Sequence, residues 1–211
     1  MTGATGYLGR PLTALALRRG HTVTAFVKPG SEARVAPGAR VVTGDPFSSD
    51  ELARACSAGD TIVHLIGTPR PNPSKAQQFL DVDLASARVA ADAAKRAQVG
   101  HIVYVSVAHP APIMQAYIAA RMKAEEAIRA TGIPATILRP WYVLGEGHWW
   151  PYALLPIYKV LEWIPSKRAS ALRLGLVTHK QMITALMGAI EDGPQRAGIR
   201  TVPDIRAATI A

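Results

Sequence analysis

Residues 1–10 read MTGATGYLGR, with Gly3, Gly6 and Gly9 recurring at every third position. A run of this kind normally joins the end of a buried β-strand to the start of a helix. The helix comes directly after, because Leu8, Leu12, Leu15 and Ala16 repeat at helical spacing. In that setting Gly3 permits the tight turn, and Gly6 removes the side chain that would hold a pyrophosphate off the backbone. Gly9 lets the helix close on the sheet, and the free N–H groups of the helix start face the anion. The strand is the unusual part: only Met1 and Thr2 stand ahead of Gly3. Three spaced glycines also occur in ordinary turns, so the rest of the chain has to decide between a turn and a phosphate loop.

Beyond the glycines the chain keeps one rhythm. Apolar, β-branched runs recur at residues 21–27 (HTVTAFV), 39–42 (ARVV), 61–66 (TIVHLI), 101–107 (HIVYVSV) and 135–140 (ATILRP). Between most of them lie stretches of helical spacing, such as Leu80, Leu84, Ala87 and Ala91. Ser48 with Glu51, and Thr178 with Gln181, form capping-box patterns ahead of helices. Near-continuous apolar strands alternating with helices predict a parallel sheet covered on both faces, a doubly wound α/β domain. There is no internal repeat, and 211 residues fit a single domain.

Composition narrows the class. With 49% hydrophobic and 18% charged residues the chain has material for a sizeable core. Cys56 is the single cysteine, which excludes a disulfide framework or thiolate cluster. No run has the length of a membrane span, and the start lacks the pattern of a signal peptide, so the expected compartment is the cytoplasm. The formal charge of +9 is scattered singly and in pairs without an aromatic platform. Nucleic acid is therefore not the expected partner; a basic surface also steers a dinucleotide. Residues 21–27 run into Lys28, where an acidic residue would hydrogen-bond an unphosphorylated ribose. Lys28, with Ser31 and Arg34 behind it, suits a 2′-phosphate, so NADP is favoured and NAD is the alternative.

Taken together, TGATGYLG, the Gly44–Asp45 pair, HLIGTP, YVSV, YIAARMKAEE from Tyr117 and ILRPWYVLGEG resemble the atypical short-chain dehydrogenase/reductases. The resemblance is specifically to their NmrA-like, NAD(P)H-binding branch, which includes relatives of the complex I subunit that holds a structural NADPH. The resemblance implies a Rossmann-like fold and a cofactor site formed by Gly3, Thr5, Gly6, Tyr7, Leu8 and Lys28, with Asp45 on the adenine side. It also implies that Ile66 and Gly67 border the adenosine ribose and that Pro140 and Val143 lie near the nicotinamide. In that superfamily a Tyr, with a Lys four residues on and a Ser from a neighbouring strand, acts as general acid or base. The counterparts here are Tyr117 and Ser106, but Arg121 stands where the Lys belongs. Spacing of four puts Tyr117 and Arg121 on one helix face. Arg keeps the charge, yet it cannot give up a proton and is not a compact ammonium.

The resemblance also sets expectations for both ends of the chain. Residues 141–175 and 200–211 would contribute a small substrate lobe. Within it, Trp149, Trp150, Tyr152, Leu155, Tyr158, Leu161 and Trp163 read as an apolar pocket, a packed or subunit-interface helix, or a membrane-surface contact. Relatives carry about five apolar residues ahead of the glycines, forming a central strand. Met1 stands where they commonly have Val. A start assigned too late, a different strand order, or a strand supplied by a partner chain would each account for this, and the expected structure is a gap filled by rearrangement or an oligomer sealing the edge. The six His residues have no ligand spacing, and His64 and His101 read as structural. Two functions stay open: an NADP-dependent oxidoreductase on a small apolar carbonyl or alcohol, with Ser106, Tyr117 and Arg121 as its machinery, and a non-catalytic NADP(H)-binding module whose output is a partner contact.

Overall fold

A computed structural model describes residues 1–145 and 173–209. The aromatic stretch from Trp149 to Trp163, and His148 before it, lie outside the described residues. The helices are α1 (Gly9–Arg18), α2 (Ser49–Arg54), α3 (Ala76–Gln78), α4 (Ala85–Arg96), α5 (Gln115–Arg129), α6 (His179–Asp192) and α7 (Val202–Ala207). The strands are β1 (Thr24–Val27), β2 (Arg40–Thr43), β3 (Thr61–His64), β4 (His101–Val105), β5 (Ala135–Leu138), β6 (Tyr142–Leu144), β7 (Leu176–Thr178) and β8 (Ile199–Arg200).

Every pairing is parallel. β2 pairs β1, and β3, β4, β5 and β8 lie side by side in a second block. Alternation along the strands explains the two covered faces. Val63, Val103 and Leu138 point to one side, where Leu12 and Ala16 of α1 and Met182, Leu186 and Met187 of α6 pack on them. Ile62, Ile102 and Ile137, one residue away in each strand, point to the other side, against Leu84, Ala87 and Ala91 and against Ala124 and Ile128 of α5. The domain is the doubly wound, Rossmann-like α/β fold.

The two blocks are joined by the first two residues. Thr2 bridges in parallel to Phe26 of β1 and to His64 of β3. Its N–H donates to the Val63 carbonyl at 3.0 Å and its carbonyl accepts from Leu65 N–H at 3.3 Å, while the Met1 carbonyl accepts from Phe26 N–H at 2.9 Å. The expected rearrangement is not what the chain adopts: β1 and β3 keep their places on either side of a two-residue strand segment, and the strand order is unchanged. Beyond Met1 the space between β1 and β3 continues as a cavity of about 380 Å³, lined by residues including Val23, Thr61, Ile62 and Cys56.

The helix expected through Leu80, Leu84, Ala87 and Ala91 is interrupted. α3 passes through a π-helical turn, Phe79–Leu84, before α4 begins. The wider turn rotates Leu80 out of the buried face, leaving it 42% exposed, while Phe79 and Asp83 are fully buried. Both capping readings meet the structure, one of them in part. At α6 the Thr178–Gln181 box is complete. At α2 the Ser48 hydroxyl accepts from Glu51 N–H, but the Glu51 carboxylate accepts from Asp45 N–H, so it braces the loop after β2. β6 and β7 form a separate two-stranded sheet, and α7 sends Val202 and Ile205 into the core beneath α6.

Candidate functional site

The glycine loop lies at the carboxyl ends of β1 and β3. Gly3 has φ +70°, and a Cβ there would come within 2.8 Å of the Leu65 backbone, so the loop is seated on the segment leaving β3. A Cβ at Gly9 would overlap the Gly3 carbonyl oxygen and approach Ala4 Cα to 2.7 Å, so α1 can close on the loop only with glycine at its first position. Gly6 differs. It is exposed, and among the described residues a Cβ there would meet only the Gly3 carbonyl, at 3.2 Å, so none of them fills the outer side of the turn. The helix start has no side-chain cap at Leu8 and no acidic residue in its first turn. Those amides and the helix dipole suit an anion, so the cradle fits a pyrophosphate. Thr5 is half-buried, and Tyr7 is exposed, with its ring 4.5 Å from that of His179 and its carbonyl 3.0 Å from His179 Nε2. A Cβ at Gly145 would overlap the Tyr7 hydroxyl, so the loop touches the segment following β6.

Lys28 stands exposed at the end of β1. Arg34 Nη2 donates to the buried Ser31 Oγ at 2.9 Å, which holds a second cation in the turn that follows β1. Asp45, at the end of β2, is exposed, and its Oδ1 accepts from Phe47 N–H. Pro140 is tied to the end of β4 by Ala108 N–H, which donates to its carbonyl at 2.9 Å. Val143 lies half-buried in β6, paired with Val177.

Ile66 and Gly67 come immediately after β3, and there the structure adds a residue that the sequence patterns did not single out. Asp83, in the π turn, accepts with Oδ2 from Thr68 N–H at 3.1 Å and from Thr68 Oγ1, and pairs through Oδ1 with Arg121 Nη2 at 2.6 Å. Arg121 Nη1 donates to Tyr104 OH at 3.0 Å and to the Val105 carbonyl at 2.8 Å. Burial disfavours the Arg121 cation, but Tyr104, Tyr117 and Asp83 outweigh it and hold the group charged. Its guanidinium carbon lies 5.2 Å from the Tyr117 ring centroid, so Tyr117 and Arg121 share a face as their spacing requires. Tyr117 is half-buried in the first turn of α5, with its ring 4.9 Å from that of Phe79. One signal for Asp83 was available: a carboxylate on the Ala-rich face of a buried helix must find a cation.

Ser106 is not joined to Tyr117. Its side chain is buried, and its hydroxyl is turned toward the Glu125 carboxylate. The neighbouring charge cluster is Glu125, 1% exposed, which receives Arg139 Nε at 2.9 Å and Arg129 Nη2 at 2.8 Å. Burial pushes the Glu125 carboxyl up, yet Arg139, the nearby Ser106 hydroxyl and Arg129 hold it below the usual carboxylate range. His64 pairs with Thr2 Oγ1 at 2.8 Å and Ser86 Oγ at 3.2 Å, and burial, with Arg121 and the chain's amino group, lowers its pKa to about 3. It is a neutral structural residue. No cluster of three metal-ligating side chains occurs among the described residues.

A parallel sheet with a glycine turn and an uncapped helix start at its carboxyl edge defines a dinucleotide-binding domain. The chain belongs to the NAD(P)H-binding family, whose model matches residues 3–148. It is 32% identical over 152 residues to a ceramide reductase of Caulobacter vibrioides, a match covering 70% of this chain and 46% of that protein, so the chain spans about half the length of this relative. A short-chain dehydrogenase/reductase superfamily protein of Agrobacterium tumefaciens with bound NAD has a similar structure, with TM-score 0.67 and 19% identity over 94% of this chain and 74% of that one. A UDP-N-acetylglucosamine 4-epimerase of Bacillus cereus gives 0.67 and 17% over 97% and 81%. No described helix is long and apolar enough to cross a membrane.

Proposed function

We propose that the chain is an NADP(H)-dependent oxidoreductase acting on a small apolar alcohol or carbonyl, with Tyr117 holding the proton exchanged with the substrate oxygen. The observation that carries the reading is the position of Tyr117, half-buried in the first turn of α5 with the Arg121 guanidinium 5.2 Å from its ring centroid. A phenol in that place can serve as general acid or base. The dinucleotide, when bound, supplies or accepts the hydride. Gly3, Thr5, Gly6, Tyr7 and Leu8 would cradle its pyrophosphate, Asp45, Ile66 and Gly67 its adenosine half, and Pro140 and Val143 its nicotinamide half. Lys28 and Arg34 favour NADP, because two cations at the end of β1 suit a 2′-phosphate. The likeness to a ceramide reductase supports an apolar substrate.

The second reading, a module that holds NADP(H) without turnover, is favoured by the inward engagement of Arg121 and by Ser106 having no bond to Tyr117. The deciding experiment is NADPH oxidation against a panel of apolar ketones and aldehydes by the parent and by Tyr117→Phe. Turnover lost in the variant, with cofactor affinity kept, is the expected result. No turnover by the parent, combined with tight cofactor binding, would favour the module.

A further inference from the structure

Asp83 and Arg121 form a buried, charged pair for which the proposed chemistry has no direct use. Asp83 is 0% and Arg121 6% exposed. Each group spans several elements. The Asp83 carboxylate takes both donors of Thr68 with one oxygen and the Arg121 guanidinium with the other. Arg121 then reaches Tyr104 and the Val105 carbonyl at the end of β4. The guanidinium also fills the space beneath Gly67: a Cβ on that residue would overlap Arg121 Nη2 and lie 3.1 Å from Asp83 Oδ1. Gly67 thus has no room for a side chain, because the charged pair occupies the space that a Cβ would enter. The carboxylate comes from a π turn, a local geometry that recurs at functional sites. A buried pair is costly unless its remaining hydrogen bonds are met; here Thr68 meets those of Asp83, and Tyr104 and the Val105 carbonyl take two from Arg121, leaving Nε without a partner among the described residues.

We propose that Asp83 and Arg121 are positioning residues that act as one unit, pinning the backbone of Gly67 and Thr68 as the ledge on which the cofactor rests. The proposal builds on the reading of residues 66 and 67 as part of the cofactor site. Arg121 works through this ledge, and three partners fix its geometry, so charge alone does not reproduce its role. A lysine carries the charge but lacks the planar fork that reaches Asp83, Tyr104 and Val105 together.

The test is NADPH affinity, measured by calorimetry at low temperature, for the parent, Asp83→Ala, Arg121→Lys and the double variant, alongside the thermal midpoint of each ligand-free chain. Each single substitution is expected to weaken NADPH at least tenfold, and the double no further than the weaker single, because either one releases the same ledge. Should Asp83→Ala not fold, Asp83→Asn replaces it; with an acceptor left for Thr68, it is expected to weaken binding at least threefold. Arg121→Lys binding NADPH within twofold of the parent would overturn the proposal, as would variants that lose only thermal stability. A parent that binds no NADPH overturns the cofactor reading itself, whereas a binding parent with unaffected variants overturns this inference alone.

Discussion

Replacing Gly9 by alanine isolates the close approach of helix and loop. The new methyl would overlap the Gly3 carbonyl oxygen and stand 2.7 Å from Ala4 Cα and 2.8 Å from the Gly3 carbonyl carbon, all of them backbone atoms that cannot rotate away. Carbon contacts are comfortable at about 3.5–4.0 Å, so the loop must retreat by about 1 Å. Overpacking of this kind costs about 1–3 kcal/mol. The gain from replacing glycine in a helix, about 1 kcal/mol at most, offsets part of that. A net loss of about 1–2 kcal/mol lowers the midpoint of a chain this size by about 2–8 °C. The larger effect falls on the ligand. A loop displaced by that distance breaks at least one hydrogen bond to the charged pyrophosphate, worth about 1.5–3 kcal/mol, or about ten- to a hundredfold in Kd. Gly20 provides the control, since it has φ +84° and no described residue within 4 Å of its would-be Cβ. Gly20→Ala costs about 1–2 kcal/mol through backbone strain alone and should leave NADPH affinity unchanged. Calorimetric titration and thermal melts of both variants would refute the reasoning if Gly9→Ala bound NADPH as the parent does, or if Gly20→Ala lost as much affinity.

Acid should destabilise the chain through His64. Its folded pKa is about 3, so below the unfolded value of 6.5 only the unfolded chain takes up the proton, and stability present above pH 6.5 is lost as pH falls toward 3. At about 1.4 kcal/mol per unit, pH 5 lies about 2 kcal/mol below pH 7. His101 and His109, also held low by burial, add to the same window. Urea melts of His64→Asn should show lower stability at pH 7 but a flatter loss toward pH 5, and an unchanged slope would contradict the assignment. Arg139→Ala removes a main partner of the buried Glu125 carboxylate and should cost about 3–5 kcal/mol in denaturant melts; replacing both residues with Met should recover most of it. Replacing Lys28 and Arg34 together with Ala should weaken NADPH about tenfold or more while moving NADH less than twofold, read by competition titration. Equal losses for both nucleotides would remove the 2′-phosphate from the argument.

The parallel sheet was legible because strands buried on both faces must be apolar along their length, and residues 61–64 and 101–105 meet that demand. The glycine spacing was equally readable, since each of Gly3 and Gly9 answers a steric demand that any side chain violates. Three features were not legible. The π turn is hidden because Leu80, Leu84 and Ala87 also satisfy an α-helical period, and only the backbone of residues 79–84 shows the wider turn. Two residues acting as a strand segment escaped because sequence patterns for strands need length, whereas Thr2 needs only correctly placed neighbours on both sides. The inward path of Arg121 depends on Asp83, Tyr104 and Val105, which no local spacing connects to it. The resemblance made Ser106 a partner of Tyr117, whereas its buried hydroxyl lies beside the Glu125 carboxylate.

The central claim is that the loop of Gly3, Gly6 and Gly9 and the start of α1 hold a nicotinamide dinucleotide, with the phosphorylated form preferred. Calorimetric titration of the 211-residue chain with NADPH and, separately, with NADH tests it most directly. The account predicts one-to-one binding of both, with NADPH about tenfold or more tighter through charge-assisted hydrogen bonds from Lys28 and Arg34 to the 2′-phosphate. A folded chain that binds neither nucleotide would contradict it.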